Sequence, residues 1–432
     1  MTVKIKAEWD RLKKVAVHTP GMEMFFGLLD PFASLYERAF SQRDALKEHE
    51  VLQYTLKHDF NVKVLPIKDT IVDISLKKPS MKVKLVELTK KSIQFNGTDQ
   101  DVEMACQEMD ANSNILDPEH YFNTILLNPS IELEPRMTTR MINLHITQRE
   151  PLTNLYFMRD QQIITDKGMV LSRMNKPQRR REPQLTGLLW EMLKEPLIYK
   201  IQGPGTLEGG DYMPLDSFAL LGMGDRTNQS GVDQLLEHGL GFDEVGVVHQ
   251  SSHPLIPLDK RDPMLNMHLD NYFNVASKGV AVGSKQLLET TIVEIYQRTS
   301  DGYQKSAEKT NLYEYMVSKG FDFINITTLE QMAYASNLLC IRDRAILAVE
   351  VERIVKDVIN KFRLRAKADP EGYSKLLAQI KKDYKYLRQE GQFFPHKKEI
   401  YQYDIDAYPL NLSNLTGGYG GAHCMTCPLK RI

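Results

Sequence analysis

The sequence predicts an α/β protein, and three observations carry that expectation. The chain opens with a strand–helix–strand order. Residues 15–17 are a short apolar run closed by the turn His18-Thr19-Pro20-Gly21, residues 41–58 place Ala45, Leu52 and Leu56 at helical spacing, and residues 61–67 alternate again. Short strand candidates then recur between helical stretches as far as residue 349. Residues 68–150 break this pattern: they are polar, rich in Lys, Met, Asn and Gln, helical at 83–93 and 137–144, and poor in strand signals. They read as a helical insertion.

The α/β pattern resumes at Leu155. Asp166-Lys167-Gly168, set between residues 162–165 and 169–172, reads as a hairpin. Residues 217–221, 246–248, 279–282 and 345–349 are further short strands. So many short strands among helices suggest several small units of one design, although no sequence repeat is visible. Residues 350–398 turn helical and highly charged, with Ile354, Val358 and Phe362 on one face. Asp369-Pro370-Glu371-Gly372 divides them into two helices, the second lined by Leu376, Leu377, Ile380, Tyr384 and Leu387. The favoured reading is a solvated hairpin on the surface; a lid, or a contact between copies in a homo-oligomer, is the sharper alternative. Residues 1–67 and 151–432 are thus expected to form one catalytic unit, with 68–150 and 350–398 inserted into it.

Composition narrows the function. A formal net charge of -1 gives no overall bias toward nucleic acid or acidic lipid. The first ten residues carry too many charges for a secretory signal, and no apolar run approaches the ~20 residues that span a bilayer. The four cysteines, Cys106, Cys340, Cys424 and Cys427, are too few for a disulfide scaffold in 432 residues. The expectation is a cytoplasmic enzyme or binding protein with no nucleic-acid or membrane partner.

Six stretches carry chemistry. Phe157-Met158-Arg159-Asp160 puts a carboxylate at the end of an apolar run, where it can accept from a guanidinium or form a structural ion pair. Pro177-Gln178-Arg179-Arg180-Arg181-Glu182 is a compact basic cluster, suited to carboxylates or phosphates, with a surface charge run as the bland reading. Leu207-Glu208-Gly209-Gly210-Asp211 fits neither a dinucleotide fingerprint nor a phosphate loop and looks like acids brought to a ligand by a tight backbone. Gly222-Met223-Gly224-Asp225-Arg226 adds a glycine-flanked arginine. In Met267-His268-Leu269-Asp270 a strand would aim His268 and Asp270 to one side. Finally Gly417-Gly418-Tyr419-Gly420-Gly421-Ala422-His423-Cys424-Met425-Thr426-Cys427-Pro428 offers a thiol after four glycines, which tolerate positive φ and close approach. A fraying tail is its bland reading. Among active readings a nucleophile ranks above a redox pair, and a redox pair above a metal site.

In this order the motifs Phe-Met-Arg-Asp, Leu-Glu-Gly-Gly-Asp, Met-His-Leu-Asp and Gly-Gly-Ala-His-Cys-Met-Thr-Cys-Pro-Leu resemble the arginine deiminase family of guanidino-group-modifying enzymes. The resemblance covers residues 12–67 and 155–349 with the terminal segment. It implies a pseudo-fivefold α/β-propeller of ββαβ units, the pentein fold. It implies Cys424 as nucleophile, His268 and Glu208 as the acid/base pair, and Asp160 and Asp270 as the grip on the guanidinium. Arg179 and Arg226 would hold an α-carboxylate, Phe157 would line the substrate stem, and Gly418 would allow close approach in the loop. No metal and no organic cofactor are implied, and the substrate would be L-arginine, giving citrulline and ammonia. Amidino transfer, hydrolysis onward to ornithine, and a silent arginine-binding protein are the alternatives. Two departures stand out: Tyr419 replaces an arginine common in the family's glycine loop, and residues 350–398 form a longer connection than usual.

Overall fold

The computed structural model describes residues 3–133 and 145–432; the helix expected at 137–144 lies outside the described residues. In chain order it begins with β1 (Leu12–Val17), α1 (Met22–Leu29), α2 (Gln42–Tyr54) and β2 (Lys63–Pro66). The stretch expected as a helical insertion carries α3 (Ile67–Lys77), α4 (Pro79–Ser92), β3 (Gln94–Asn96), α5 (Asp99–Ala111), α6 (Pro118–Leu127), β4 (Pro129–Glu132) and β5 (His145–Gln148). It is therefore not wholly helical: β3, β4 and β5 form a small sheet, β3 parallel to β4 and β5 antiparallel to it. Gln94-Phe95-Asn96 and Pro129-Ser130-Ile131-Glu132 give no alternating apolar pattern to announce it.

The chain continues through β6 (Gln162–Ile164), β7 (Met169–Leu171), α7 (Glu182–Met192) and β8 (Leu197–Lys200). Next come β9 (Tyr212–Leu215), β10 (Phe218–Met223), α8 (Gln229–His238) and β11 (Glu244–His249). Then follow β12 (Phe273–Ser277), β13 (Val280–Gly283), α9 (Lys285–Leu288), β14 (Ile292–Thr299), β15 (Gly302–Asn311), α10 (Leu312–Ser318) and β16 (Asp322–Asn325). The last stretch holds α11 (Thr328–Met332), β17 (Leu339–Arg342), β18 (Ala345–Val349), α12 (Val351–Ala368), α13 (Pro370–Glu390), α14 (Lys398–Gln402), β19 (Asp406–Leu410) and β20 (Cys427–Arg431).

Five sheets share one design, an antiparallel pair with a third strand parallel to its second member. The sets are β20-β1-β2, β6-β7-β8, β9-β10-β11, β12-β13-β16 and β17-β18-β19. A parallel partner requires a crossover, and at least one helix lies in each connection between the second and third strands. The third set is extended by β14 and β15, a long hairpin whose outer strand is largely exposed and polar, which kept it invisible to an apolar-pattern reading.

Two of these elements set the site. β20 runs antiparallel to β1 with Cys427 opposite Ala16, so the cysteine loop is anchored in the sheet that holds the first strand. The reading as a frayed tail is thereby overturned. The α12–α13 pair is formed as expected: Asp369 caps α13, its Oδ1 accepting from the Gly372 amide at 3.1 Å, and Pro370 occupies the first turn. Its placement differs from a solvated surface hairpin. Ile354, Val358 and Phe362 join the largest apolar cluster, which also contains Tyr419 and Cys424.

Candidate active site

Cys424 is fixed by neighbours from three distant stretches. Asn337 accepts from the amides of Gly421 (2.7 Å) and Cys424 (3.1 Å), and its Nδ2 lies 3.0 Å from the Cys424 sulfur. The Arg159 amide donates to the Cys424 carbonyl at 3.0 Å, and the thiol lies 3.3 Å from Asp270 Oδ2. Burial pushes the thiol well above its ordinary value; the carboxylates of Asp270 and Asp160 push the same way, and the Asn337 bond opposes them. Asn337 escaped the sequence reading because Ser336-Asn337-Leu338 matches no motif.

The glycine loop has a different reason from the one expected. None of its four glycines has positive φ; the residue that does is Tyr419, at φ 74. Instead, a Cβ on Gly418 would stand 1.9 Å from the Tyr156 hydroxyl and 2.8 Å from the Phe157 ring. One on Gly420 would meet Phe157 at 2.7 Å and Cys424 Cβ at 2.9 Å. These two rings account for Gly418 and Gly420; a Cβ on Gly417 would meet the Phe40 ring, and one on Gly421 the Asn337 carbonyl at 2.8 Å.

His268 opens a short 3-10 turn (Leu269–Asn271), not a strand, so the same-side argument for Asp270 does not apply. Its Nε2 is 2.9 Å from Glu208 Oε2, and its Nδ1 is 3.8 Å from Asp160 Oδ1. Burial by itself would lower the imidazole pKa, but Asp160 and Glu208 outweigh it and raise it to about 9. Burial would likewise raise Glu208, whereas Arg226 and His268 bring it down to about 2. Asp211, the second acid of the Leu-Glu-Gly-Gly-Asp motif, accepts from the Leu269 amide (3.0 Å) and the Thr227 hydroxyl (2.6 Å), and so fixes the histidine turn. Gly210 is required here, since its Cβ would lie 2.8 Å from His268 Nδ1.

The two arginines expected to act alike are placed differently. Arg179 is buried, so the surface-run reading of its cluster fails at this residue. Its Nη1 donates to Asp160 Oδ2 at 2.7 Å, while Nε and Nη2 clasp Glu182 at 3.0 and 2.8 Å. The spacing of Arg179 and Glu182, one helical turn apart, is the sequence signal that announces this pair. Arg226 Nη1 is 3.5 Å from Glu208 and has no hydrogen-bond acceptor among the described residues, and Nη2 rests 3.5 Å from the sulfurs of Met264 and Met267.

A small cavity joins these groups; Phe157, Asp160, Arg179, Arg226, His268, Gly418, Tyr419 and Cys424 line it. Glu208 and Asp270 lie directly behind its wall, against His268 and Cys424. Over the loop, Arg365 of α12 donates to the Tyr419 hydroxyl at 3.1 Å and pairs with Asp262, and Lys361 pairs with buried Glu37 at 2.9 Å. Asp160, Glu208 and His268 offer metal-ligand atoms within 4.8 Å of one another. Arg179 and Arg226 already face those carboxylates, so a cation would compete with two guanidinium groups. Cys427 is buried, and burial pushes its thiol up to about 12. Among the described residues no helix is long and apolar enough to cross a membrane.

A family model described as arginine deiminase matches residues 33–431. An arginine deiminase of Halobacterium salinarum is 27% identical over 507 aligned positions, spanning 99% of this chain and 96% of that protein. One of Streptococcus pyogenes is 24% identical over 56% of this chain and 62% of that protein. Among solved structures, the N-terminal domain of ArgZ, an arginine dihydrolase from cyanobacteria, has a TM-score of 0.50 at 11% identity over 97% of both chains. Unliganded AgrE has a TM-score of 0.52 at 11% identity, over 97% of this chain and 39% of that one. These two likenesses concern the fold. The family match sets the chain among hydrolases acting on guanidino C–N bonds. It belongs to the arginine deiminase family.

Proposed function

We propose that the protein hydrolyses free L-arginine to L-citrulline and ammonia through a covalent thiouronium on Cys424. The observation that carries this reading is one buried cavity lined by a thiol, an imidazole, a carboxylate and an arginine, Arg226, whose Nη1 lacks an acceptor. The guanidinium is planar and resonance-stabilised, so its carbon resists attack until it is fixed and its charge offset. Asp160 and Asp270 supply that grip, and Arg226 takes the α-carboxylate, with Arg179 joining it if Asp160 exchanges it for the substrate. Phe157 and Gly418 flank the stem.

Cys424 is held as a neutral thiol in the empty site, chiefly by burial and then by Asp270 and Asp160. A cationic substrate between those carboxylates offsets part of that field and favours the thiolate, whose proton leaves to solvent because His268 already carries its own. The thiolate attacks the guanidinium carbon, and His268, protonated at neutral pH, gives its proton to the departing ammonia. The imidazole then takes a proton from water, which attacks the thiouronium carbon; the C–S bond breaks and citrulline leaves. Glu208 orients the imidazole and keeps it basic. The five sheets of common design support a pseudo-fivefold α/β-propeller in the pentein manner, with 68–150 and 350–398 as insertions. The four free cysteines fit a cytoplasmic setting.

The test is incubation with L-arginine and product analysis. Citrulline and ammonia in equal amounts are expected. Ornithine in place of citrulline would give the dihydrolase reading, and turnover of another guanidine without arginine would overturn the substrate.

A further inference from the structure

His423 is the one imidazole beside the nucleophile that the scheme above leaves unused. Its ring is fully buried, and Nδ1 lies 2.7 Å from Asp270 Oδ2. Asp270 is held below its ordinary value: burial would raise it, and the His423 bond is the first influence bringing it down. The carboxylate is thus the acceptor and Nδ1 carries the proton. The same oxygen, Oδ2, receives the Cys424 thiol at 3.3 Å, while Oδ1 is buried without a partner. On the far side, His423 Nε2 faces Glu8 Oε1 at 3.9 Å, and Glu8 is fixed by Arg431 at 2.9 Å and Arg159 at 3.4 Å. The His423 amide donates to the Asn337 carbonyl at 3.2 Å, so backbone and ring are both anchored.

This geometry has a consequence for the thiol. An aspartate within reach of a sulfur opposes its ionisation, and the opposition is weaker when another N–H shares the charge. Without His423, Oδ2 would face the sulfur alone, and the carboxylate would be free to rotate and exchange its oxygens. With His423, Oδ2 is pinned and Oδ1 remains an open acceptor. We propose that His423 is a positioning residue for the nucleophile: by donating to Asp270 Oδ2 it fixes the carboxylate and eases loss of the Cys424 proton, leaving Oδ1 for an N–H of the guanidinium. The last clause rests on the arginine-hydrolysis reading; the effect on the thiol does not.

The test compares two replacements of similar bulk: His423→Gln, whose amide can donate to Asp270, and His423→Met, which cannot. In the full-length protein without substrate, alkylation of Cys424 by iodoacetamide is followed by mass spectrometry from about pH 6 to about pH 11, which titrates the thiol directly. The groups facing the sulfur and the His423 ring (Asp270, Asp160, Asn337, Tyr156, Glu8, Arg159 and Arg431) are the same in all three proteins. The methionine variant should titrate about one unit higher, a tenfold loss of thiolate at fixed pH, and the glutamine variant within about 0.3 unit of wild type. Arginine turnover should follow: kcat/KM lowered about tenfold or more by methionine and roughly threefold or less by glutamine. A methionine variant that titrates with wild type, or a glutamine variant displaced as far as methionine, overturns the proposal. Should the methionine variant not fold, the glutamine variant decides alone by the same limits. Because alkylation needs no arginine, a protein that makes no citrulline but titrates in the expected order would refute the proposed reaction and leave the role of His423 standing.

Discussion

Arg179 and Arg226 sit on the wall of one cavity, yet the corners they occupy are built on opposite rules. Around Arg179 the guanidinium itself is fully answered: Glu182 takes two of its nitrogens, Asp160 takes the third, and Gln161 donates to Glu182 at 2.6 Å. Around Arg226 the nearest carboxylate is 3.5 Å away and sulfur atoms fill the rest. A saturated cluster holds shape, because removing one charge strands the others in a dry interior. An unsaturated arginine is a standing demand for an anion. For two residues that a motif reading treats as equals, we therefore propose a chiefly structural role for Arg179 and a binding role for Arg226.

The largest effect tests whether the cavity they share is the reactive one. Cys424→Ser should lower citrulline formation by about 10⁴-fold or more, while Cys427→Ser should keep most of it. Equal losses would point to a paired-thiol mechanism and make the two corners irrelevant. The comparison itself is tested next. Arg179→Gln should cost about 3–5 kcal/mol of stability, read as a lowered Tm, because Glu182 and Asp160 lose their common partner. Arg226→Gln should leave Tm nearly unchanged and raise KM for arginine by roughly 10–100-fold. The reverse pattern would exchange the two roles.

His268 touches both corners, through Asp160 and Glu208, and its titration sharpens the boundary between them. Its folded pKa of about 9 is raised above the ordinary 6.5. The stabilisation by the imidazolium is then fully present below about pH 6.5 and is lost as pH rises through about 9, with roughly 3 kcal/mol as the upper bound. Thermal unfolding between these values should show that loss in the wild type and lack it in His268→Asn. Turnover should fall above about pH 9, where the proton for ammonia is gone. The smallest effect concerns the roof: Tyr419→Phe removes the acceptor of Arg365 and should change kcat/KM by a few-fold, about 1 kcal/mol.

Much of this was legible in the sequence, and the boundary of legibility is physical. Short strands such as β10 and β18 announced themselves as apolar runs between turns, and the helical hairpin did so by its spacing. The polar strands β3 and β15 did not, because exposed residues need no apolar alternation. At the site, ordered motifs named the residues with functional groups but not their partners. Asn337 on the sulfur and Arg365 on Tyr419 are pairings of folded space. Two local arguments misled for the same reason. His268 and Asp270 were read as same-side residues of a strand but lie in a 3-10 turn. The loop glycines were credited with unusual φ, whereas Gly418 and Gly420 make room for Tyr156 and Phe157.

The pairing of β20 with β1 also sets a time order. β20 begins three residues after Cys424, and its partner is the strand made earliest in the chain. While the polypeptide is being synthesised, Leu12–Val17 can meet β2 early, but its other neighbour emerges only after nearly everything else. So distant a contact is entropically slow to close. Until it closes, the Cys424 turn lacks the sheet that anchors it, and Asn337 and Asp270 have no thiol to hold. On the proposed reading, a chain lacking β20 would therefore carry no assembled nucleophile.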